Sequence, residues 1–178
     1  MRLKSVLMCA ASLYLFVLIP AVTAASSNDR CTFPAGLRDE ISRKYPGTRV
    51  VGIDDLTGSK RKLFKKQHNS QCPGLVKVNF YGDGKPTWAV VLISGENPKR
   101  KAELVIARQI DQGWEIRSFG TTDGTPVVWR ERPGKYEDLY EKKTIRAKWP
   151  VIVFCDLESW EVVLAWTGKE VEKVQTSD

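Results

Sequence analysis

The sequence predicts an α+β fold, a mainly antiparallel β-sheet domain of hairpins that follows one N-terminal helix. Three observations support this prediction. Eight or so strand-length apolar segments are separated by turn signals at roughly every ten residues. A helical period occurs once, near the N-terminus. The stretch from residue 75 to residue 130 leaves no room for the crossover helices that a parallel sheet needs.

The single predicted helix begins near Pro34, because proline suits the first turn of a helix. Leu37, Ile41 and Tyr45 follow at intervals of four, so that they share one face of the helix. Pro46 and Gly47 end it. We therefore expect an amphipathic helix whose apolar face packs on the sheet.

The predicted strands come mostly in hairpins. Turn residues at 81–84 join the segments 75–80 and 87–94, and residues 111–113 join 103–109 to 114–119. Further strands are predicted at 50–53, 126–130, 151–156, 161–166 and 171–175. Residues 56–70 and 95–101 are polar and rich in lysine and arginine, and we expect them to form basic loops.

Residues 1–24 are typical of a cleavable secretory signal peptide. Arg2 and Lys4 supply the positive start, and residues 6–19 are a nearly unbroken apolar run that is too short to span a bilayer. The small residues before position 25 suit cleavage after Ala24, with Ala25 as the second choice. We expect residues 25–178 to be a single strand-rich globular domain, periplasmic or secreted, with no transmembrane anchor after cleavage.

Three cysteines remain after this cleavage, in an oxidising compartment where one disulfide is the usual outcome. Cys155 lies in an apolar run, where a buried thiol acts as a small hydrophobic group. Cys31 and Cys72 both lie in loop-like sequence, so we expect them to form the disulfide. The alternative is that all three thiols are reduced.

Removal of the signal peptide takes away two basic residues, so the formal charge falls from +7 to about +5 (7 minus 2). This charge allows an envelope protein or an acidic macromolecule as partner, and equally a merely solvated surface. The possible basic contact surface consists of Lys60, Arg61, Lys62, Lys65, Lys66, Lys99, Arg100 and Lys101. The tryptophans lie mostly in predicted strands rather than among these residues, so no nucleic acid is expected.

Catalytic signatures are scarce in this sequence. His68 is the single histidine, which argues against a histidine-rich metal site or a nucleophile–histidine pair, and we expect it to be an exposed bystander. Phosphate-binding glycine loops are absent, and no cofactor is expected. Paired carboxylates could still act as acid and base; the candidates are Asp54, Asp55, Asp111, Glu115, Glu158 and Glu161.

The segment VNFYGDGKPTWAVVLIS, which CPGLVK precedes, resembles the single FG-GAP or VCBS-type segment of many secreted bacterial proteins of unknown function. The C-terminal VVLAWTGKEVEKVQTSD is similar to the closing hairpin of such proteins. In that family, acidic residues in the turn bind calcium. The resemblance implies a degenerate metal site at Asp83 and Asn79, while Tyr81 and Thr87 depart from the pattern. A plain structural turn is the alternative.

These observations favour a non-enzymatic binding or inhibitor-type protein that acts on a macromolecular partner. Two alternatives stay open. The first is a carboxylate-dependent envelope or polysaccharide hydrolase, which a pair of buried acidic residues in a groove would favour. The second is a structural envelope module with a vestigial calcium loop.

Overall fold

A computed structural model describes residues 31–69, 71–96 and 98–178 of the chain. The predicted signal peptide and its cleavage site lie outside the described residues. The described part contains two α-helices, α1 (Ala35–Lys44) and α2 (Gly58–His68), and a 3-10 turn at Ile53–Asp55. Its strands are β1 (Arg49–Val50), β2 (Leu75–Val78), β3 (Thr87–Ser94), β4 (Lys101–Ile110), β5 (Gly113–Asp123), β6 (Val127–Glu131), β7 (Lys135–Glu137), β8 (Thr144–Arg146), β9 (Val151–Asp156), β10 (Trp160–Trp166) and β11 (Val171–Ser177).

The predicted fold class is confirmed, because each strand pairing in the described residues is antiparallel. The first sheet, sheet A, has the order β5–β4–β3, and both β1 and β2 pair with the remaining side of β3. The two hairpins that the turn signals predict are β2–β3 and β4–β5.

Helix α1 covers one face of sheet A. Leu37 and Ile41 are buried there against Val90, Leu92 and Val105 of the sheet, as the spacing of four predicts. The predicted Cys31–Cys72 disulfide is also confirmed. It joins the segment before α1 to the segment before β2 and so fixes the start of the helix close to the sheet.

The second sheet, sheet B, has the order β11–β10–β9–β6 and packs on the opposite face of sheet A. Val91 and Ile106 of sheet A are buried in the same cluster as Val153 and Leu164 of sheet B. Burial of such apolar surface from two facing sheets is the main stabilising term of a sandwich. A small hairpin, β7–β8, lies beside β11.

The two edges of this sandwich differ. At one edge, the Val128 amide of β6 donates a hydrogen bond of 2.7 Å to the Pro73 carbonyl, which directly precedes β2. At the other edge, β5 and β11 are the outer strands of their sheets, and the Lys173 ammonium donates to the Phe119 carbonyl between them. In the part of the chain that the structure describes, a backbone hydrogen bond thus joins the sheets at one edge and a lysine side chain bonds across the other.

The prediction of a basic loop over residues 56–70 is wrong, since Gly58–His68 form α2. Lysine, arginine and leucine are good helix formers, and Phe64 is completely buried in the core between the sheets. Leu63 and Phe64 are adjacent, so the sequence lacks the three-to-four-residue apolar repeat that reveals a helix. The fold thus has a second helix, which packs on the core mainly through the Phe64 side chain.

Candidate functional site

The two residues of the implied calcium loop act as hydrogen-bond acceptors within the β2–β3 turn. The Asn79 carboxamide oxygen accepts from the Gly84 amide at 3.1 Å, and a carboxylate oxygen of Asp83 accepts from the Lys85 amide at 2.9 Å. Asparagine and aspartate commonly close turns in this way. Among the described residues, no group of three His, Cys, Asp or Glu side chains is arranged to hold a metal ion.

The eight residues of the possible basic contact surface divide into two groups. Four of them form ion pairs: Lys60 with Asp156, Arg61 with Asp54, Arg100 with Asp55 and Lys101 with Asp123. Arg100 also donates to the Thr125 hydroxyl at 2.9 Å, and its side chain is only 11% exposed. These four cations are partly neutralised by their neighbours, which reduces what they offer to an outside anion.

The other four, Lys62, Lys65, Lys66 and Lys99, are exposed and have no ion pair within the described ranges. Lys62, Lys65 and Lys66 lie on the solvent side of α2, opposite the buried Phe64. They form a solvated charged face and line neither of the two grooves described below.

A second set of cations lies in a groove at the edge where β5 faces β11. The groove has a volume of about 420 Å³. We call it the basic groove; its lining residues are Tyr81, Arg108, Arg117, Phe119, Trp166, Lys169, Glu170 and Val171. They come from the β2–β3 turn, β4, β5, β10, the β10–β11 turn and the start of β11.

The arginines of the basic groove lie on the face of sheet A that packs on sheet B. Side chains alternate between the two faces of a strand, so Leu104, Ile106 and Arg108 of β4 share one face. Leu104 and Ile106 are buried in the core between the sheets, and Arg117 is paired in register with Ile106. The inner face of sheet A therefore changes from apolar to charged where the sandwich ends.

Glu115 holds the two arginines of the groove together. It accepts hydrogen bonds from Nε of Arg108 and from a terminal nitrogen of Arg117. Partial burial acts to raise the pKa of Glu115, but the bonds from both guanidinium groups outweigh it and hold that pKa below its ordinary value. Glu115 is thus ionised at neutral pH and neutralises one of the two arginines.

Aromatic rings form the other wall of the basic groove. The Arg108 guanidinium carbon lies 4.6 Å from the centroid of the Tyr81 ring, within cation–π range. The Tyr81 ring meets the Trp166 ring edge-on at 5.1 Å between centroids. Burial raises the pKa of Tyr81, so its phenol stays neutral.

Trp149 supports the two turns that border this groove. A Cβ atom on Gly82, in the β2–β3 turn, would lie 2.0 Å from the Trp149 indole nitrogen. A Cβ atom on Gly168, in the β10–β11 turn, would lie 3.8 Å from the same indole. Both glycines have positive φ. The position of Trp149 therefore requires glycine at Gly82, and the indole packs between the turns that carry Tyr81 and Lys169.

A second groove of about 620 Å³ lies beside α2. We call it the His68 groove; its lining includes Leu63, Gln67, His68, Trp129, Glu131, Cys155, Asp156, Glu158, Trp160 and Glu161.

The prediction of an exposed His68 is wrong. His68 lies one helical turn after Phe64 in α2. Its imidazole therefore lies between the rings of Phe64 and Trp129, at centroid distances of 4.9 and 4.5 Å. The Nε2 atom is buried without a hydrogen-bond partner among the described residues, and burial lowers the pKa of His68.

Cys155 is a buried free thiol, as predicted. Burial, with the nearby charges of Glu161 and Asp156, raises the pKa of Cys155 to about 12. The neutral thiol is the form that persists at physiological pH, and it is a poor nucleophile.

The candidate carboxylates do not form a buried pair. Within the described part of the chain, Thr87 is the single polar or charged residue that is fully buried. Asp55 forms ion pairs with Arg49 and Arg100. Glu115 likewise forms ion pairs with Arg108 and Arg117. Glu158 and Glu161 line the His68 groove, where they accept hydrogen bonds from the hydroxyls of Ser59 and Thr176.

Sequence reasoning missed the basic groove because its parts are distant in the chain. Tyr81, Arg108 and Trp166 each lie in a predicted strand or turn, yet only the packing of two sheets brings them together. One signal was available: the alternation Leu104, Ile106, Arg108 places a cation on an otherwise apolar face.

No family model, curated protein or solved structure matches this chain. The resemblance to FG-GAP segments therefore stays a prediction. In the part of the chain that the structure describes, no helix has the length and apolar character needed to cross a membrane.

Proposed function

We propose that the protein is a non-enzymatic binding module, which receives an acidic group of a macromolecular partner in the basic groove. The observation that carries this proposal is the placement of Arg108 and Arg117 on the inner face of sheet A. Side chains on that face normally fill the core, and charged groups there are unfavourable unless they are paired or reach water. A ligand site is one reason to keep two arginines at such positions.

The charges of the groove suit an anion. Its lining contains three cations, Arg108, Arg117 and Lys169, and one carboxylate, that of Glu170. The carboxylate of Glu115 forms ion pairs with both arginines. The side chain of Arg117 is 64% exposed, whereas that of Glu115 is 22% exposed. An arriving anion therefore meets the arginine before it meets the carboxylate, and the rings around it reduce the screening by water.

We also propose that the protein acts outside the cytoplasm, in the periplasm or in the medium. The Cys31–Cys72 disulfide fits an oxidising compartment. The N-terminal sequence that predicts export supports the same location.

The test compares charge reversals of equal size at three exposed sites. Arg117→Glu and Lys169→Glu change the basic groove, and Lys62→Glu changes the lysine face of α2. Each variant is loaded on columns of polygalacturonate, polyglutamate and heparin, and the salt concentration that elutes it is measured. We expect the two groove variants to elute from at least one column at a clearly lower salt concentration than the wild type. Lys62→Glu should elute at nearly the same salt concentration as the wild type.

Because all three substitutions lower the net charge by two, a general effect of charge would move all three variants equally. That result, or a larger shift for Lys62→Glu, would contradict the groove as the binding site. Release of sugar fragments from the polysaccharides by the wild type would favour the alternative of a carboxylate-dependent hydrolase.

A further inference from the structure

We infer that the acidic partner is a carboxylated polysaccharide, one sugar unit of which lies in the basic groove with its carboxylate on the arginines. This inference rests on the proposed function and names the chemical class of its partner. Four features of the groove carry it.

The first feature is the aromatic wall. Trp166 and Phe119 line the groove and are half-buried, so that part of each ring faces solvent. The C–H bonds on one side of a pyranose ring form an apolar patch that packs well on the electron-rich face of an aromatic ring. A flexible aspartate or glutamate side chain offers no such face.

The second feature is the set of guanidinium nitrogens that remain available. Arg108 bonds to Glu115 through Nε, which leaves both of its terminal nitrogens. Arg117 bonds through one terminal nitrogen, which leaves Nε and the other terminal nitrogen. The two terminal nitrogens of Arg108 are adjacent and can bind a carboxylate through two parallel hydrogen bonds, whereas the two remaining nitrogens of Arg117 point in different directions and donate singly. A ring-borne carboxylate that projects from the aromatic wall would reach this pair.

The third feature is Glu170, an exposed carboxylate in the groove wall. Its backbone amide and carbonyl form the β10–β11 turn with Thr167, and its side chain has no partner in the described part of the chain. A carboxylate repels a purely anionic chain but accepts hydrogen bonds from hydroxyl groups. Sugar hydroxyls can donate to Glu170 while the sugar carboxylate binds the arginines.

The fourth feature argues against an extended acidic peptide. Peptides commonly bind by adding a strand to a free sheet edge, and β5 is the outer strand of sheet A. Two lysines already occupy backbone acceptors of β5: Lys44 donates to the Ile116 carbonyl at 2.5 Å, and Lys173 donates to the Phe119 carbonyl. Lysines at an edge strand obstruct the pairing of a further strand.

The experiment measures the affinity of the purified protein for four soluble probes by calorimetry. They are a galacturonate oligomer, its methyl ester, a glutamate oligomer of similar charge and a heparin oligomer. The methyl ester keeps the ring and removes the charge, whereas the glutamate oligomer keeps the charge and removes the ring. We expect the galacturonate oligomer to bind at least tenfold more tightly than each of the others.

The variant Glu170→Gln separates sugar recognition from simple charge attraction. Loss of a hydroxyl–carboxylate hydrogen bond should weaken galacturonate binding about fivefold, the equivalent of ~1 kcal/mol. At a site that recognises charge alone, the same substitution removes a repulsive carboxylate and strengthens binding. Lys169→Gln is the matched control on the same exposed turn, and it should weaken binding of every anion.

Three outcomes would overturn the inference. Equal or tighter binding of the glutamate oligomer assigns an acidic protein as partner, and tighter binding of heparin assigns a sulfated chain. Both results leave the proposed function standing. Binding of none of the anionic probes overturns the inference and the proposed function together.

Discussion

The guanidinium carbon of Arg108 lies 4.6 Å from the centroid of the Tyr81 ring, although the two residues belong to different hairpins. This contact joins the charged floor of the basic groove to its aromatic wall. It also orients Arg108, whose Nε is fixed by Glu115. The arginine is thus preorganised before a ligand arrives, which lowers the entropy that binding must overcome.

The first prediction concerns this contact. Tyr81→Ala should weaken binding of the galacturonate oligomer by a factor of about 3 to 10, since an exposed or partly buried cation–π contact contributes roughly 0.5 to 1 kcal/mol and the ring also excludes water. Tyr81→Phe keeps the ring and should bind nearly as well as the wild type. Calorimetric titration measures both variants, and equal losses in the two would show that the hydroxyl, not the ring face, matters.

The second prediction concerns Gly82 and Trp149. Gly82→Ala should destabilise the fold by more than Gly84→Ala, which is its matched control. Both glycines have positive φ, 71° and 77°, so both substitutions carry a backbone strain of roughly 1 to 2 kcal/mol. Only at Gly82 would the new Cβ also meet the Trp149 indole, because nothing lies within 4 Å of the Cβ position at Gly84. Urea denaturation gives the two free energies of unfolding, and similar values would refute the packing role of Trp149.

The third prediction concerns the disulfide. A double Cys31→Ser, Cys72→Ser variant should lose about 4 kcal/mol of unfolding free energy in the chain-entropy model. Reduction of the wild type should have the same effect. Burial raises the pKa of the Cys155 thiol to about 12, so this thiol should exchange slowly with the disulfide while the protein is folded. Urea denaturation with and without a reductant makes the measurement, and an unchanged midpoint would contradict a stabilising role for the bond.

The fourth prediction concerns the pH dependence of stability. Burial between Phe64 and Trp129 lowers the pKa of His68, while Glu131 and Glu161 act in the opposite direction without reversing it. The folded state therefore binds this proton less readily than the unfolded state. The stability that neutral His68 contributes is fully present above the unfolded pKa of about 6.5 and is lost as the pH falls through the lower pKa of the folded protein.

The variant His68→Phe provides the comparison, because phenylalanine keeps the ring stack and cannot be protonated. Between pH 7 and pH 5, the wild type should lose more unfolding free energy than His68→Phe. Thermal melts at a series of pH values give the two curves. Parallel curves would mean that protonation of His68 does not oppose the docking of α2.

Local signals in the sequence were sufficient for much of this fold. The turns at residues 81–84 and 111–113 predicted both hairpins of sheet A, and the spacing of Leu37 and Ile41 predicted α1 and the face it buries. Cys31 and Cys72 were paired from their loop-like surroundings. Each of these features depends on residues that are neighbours in the chain or on a simple choice among three thiols.

The missed features depend on contacts between distant segments. Helix α2 is held by Phe64 in a core that two sheets provide, so no apolar repeat was present to reveal it. The burial of His68 depends on Trp129, about sixty residues further along the chain. The basic groove is formed by residues from both sheets and two turns. Its one signal in the sequence is Arg108, a cation at the end of an apolar alternation.

The most direct test of the basic groove as the binding site is a nitrogen-15 NMR titration with the galacturonate, glutamate and heparin oligomers. The signals to follow are those of Nε in Arg108 and Arg117 and of the Trp166 indole N–H. The indole N–H of Trp129, in the His68 groove, serves as the internal control. We predict that at least one oligomer shifts the three groove signals with a common saturation curve and leaves Trp129 unchanged. Absence of shifts at these groups with all three oligomers, or shifts confined to the His68 groove, would contradict the basic groove as the binding site.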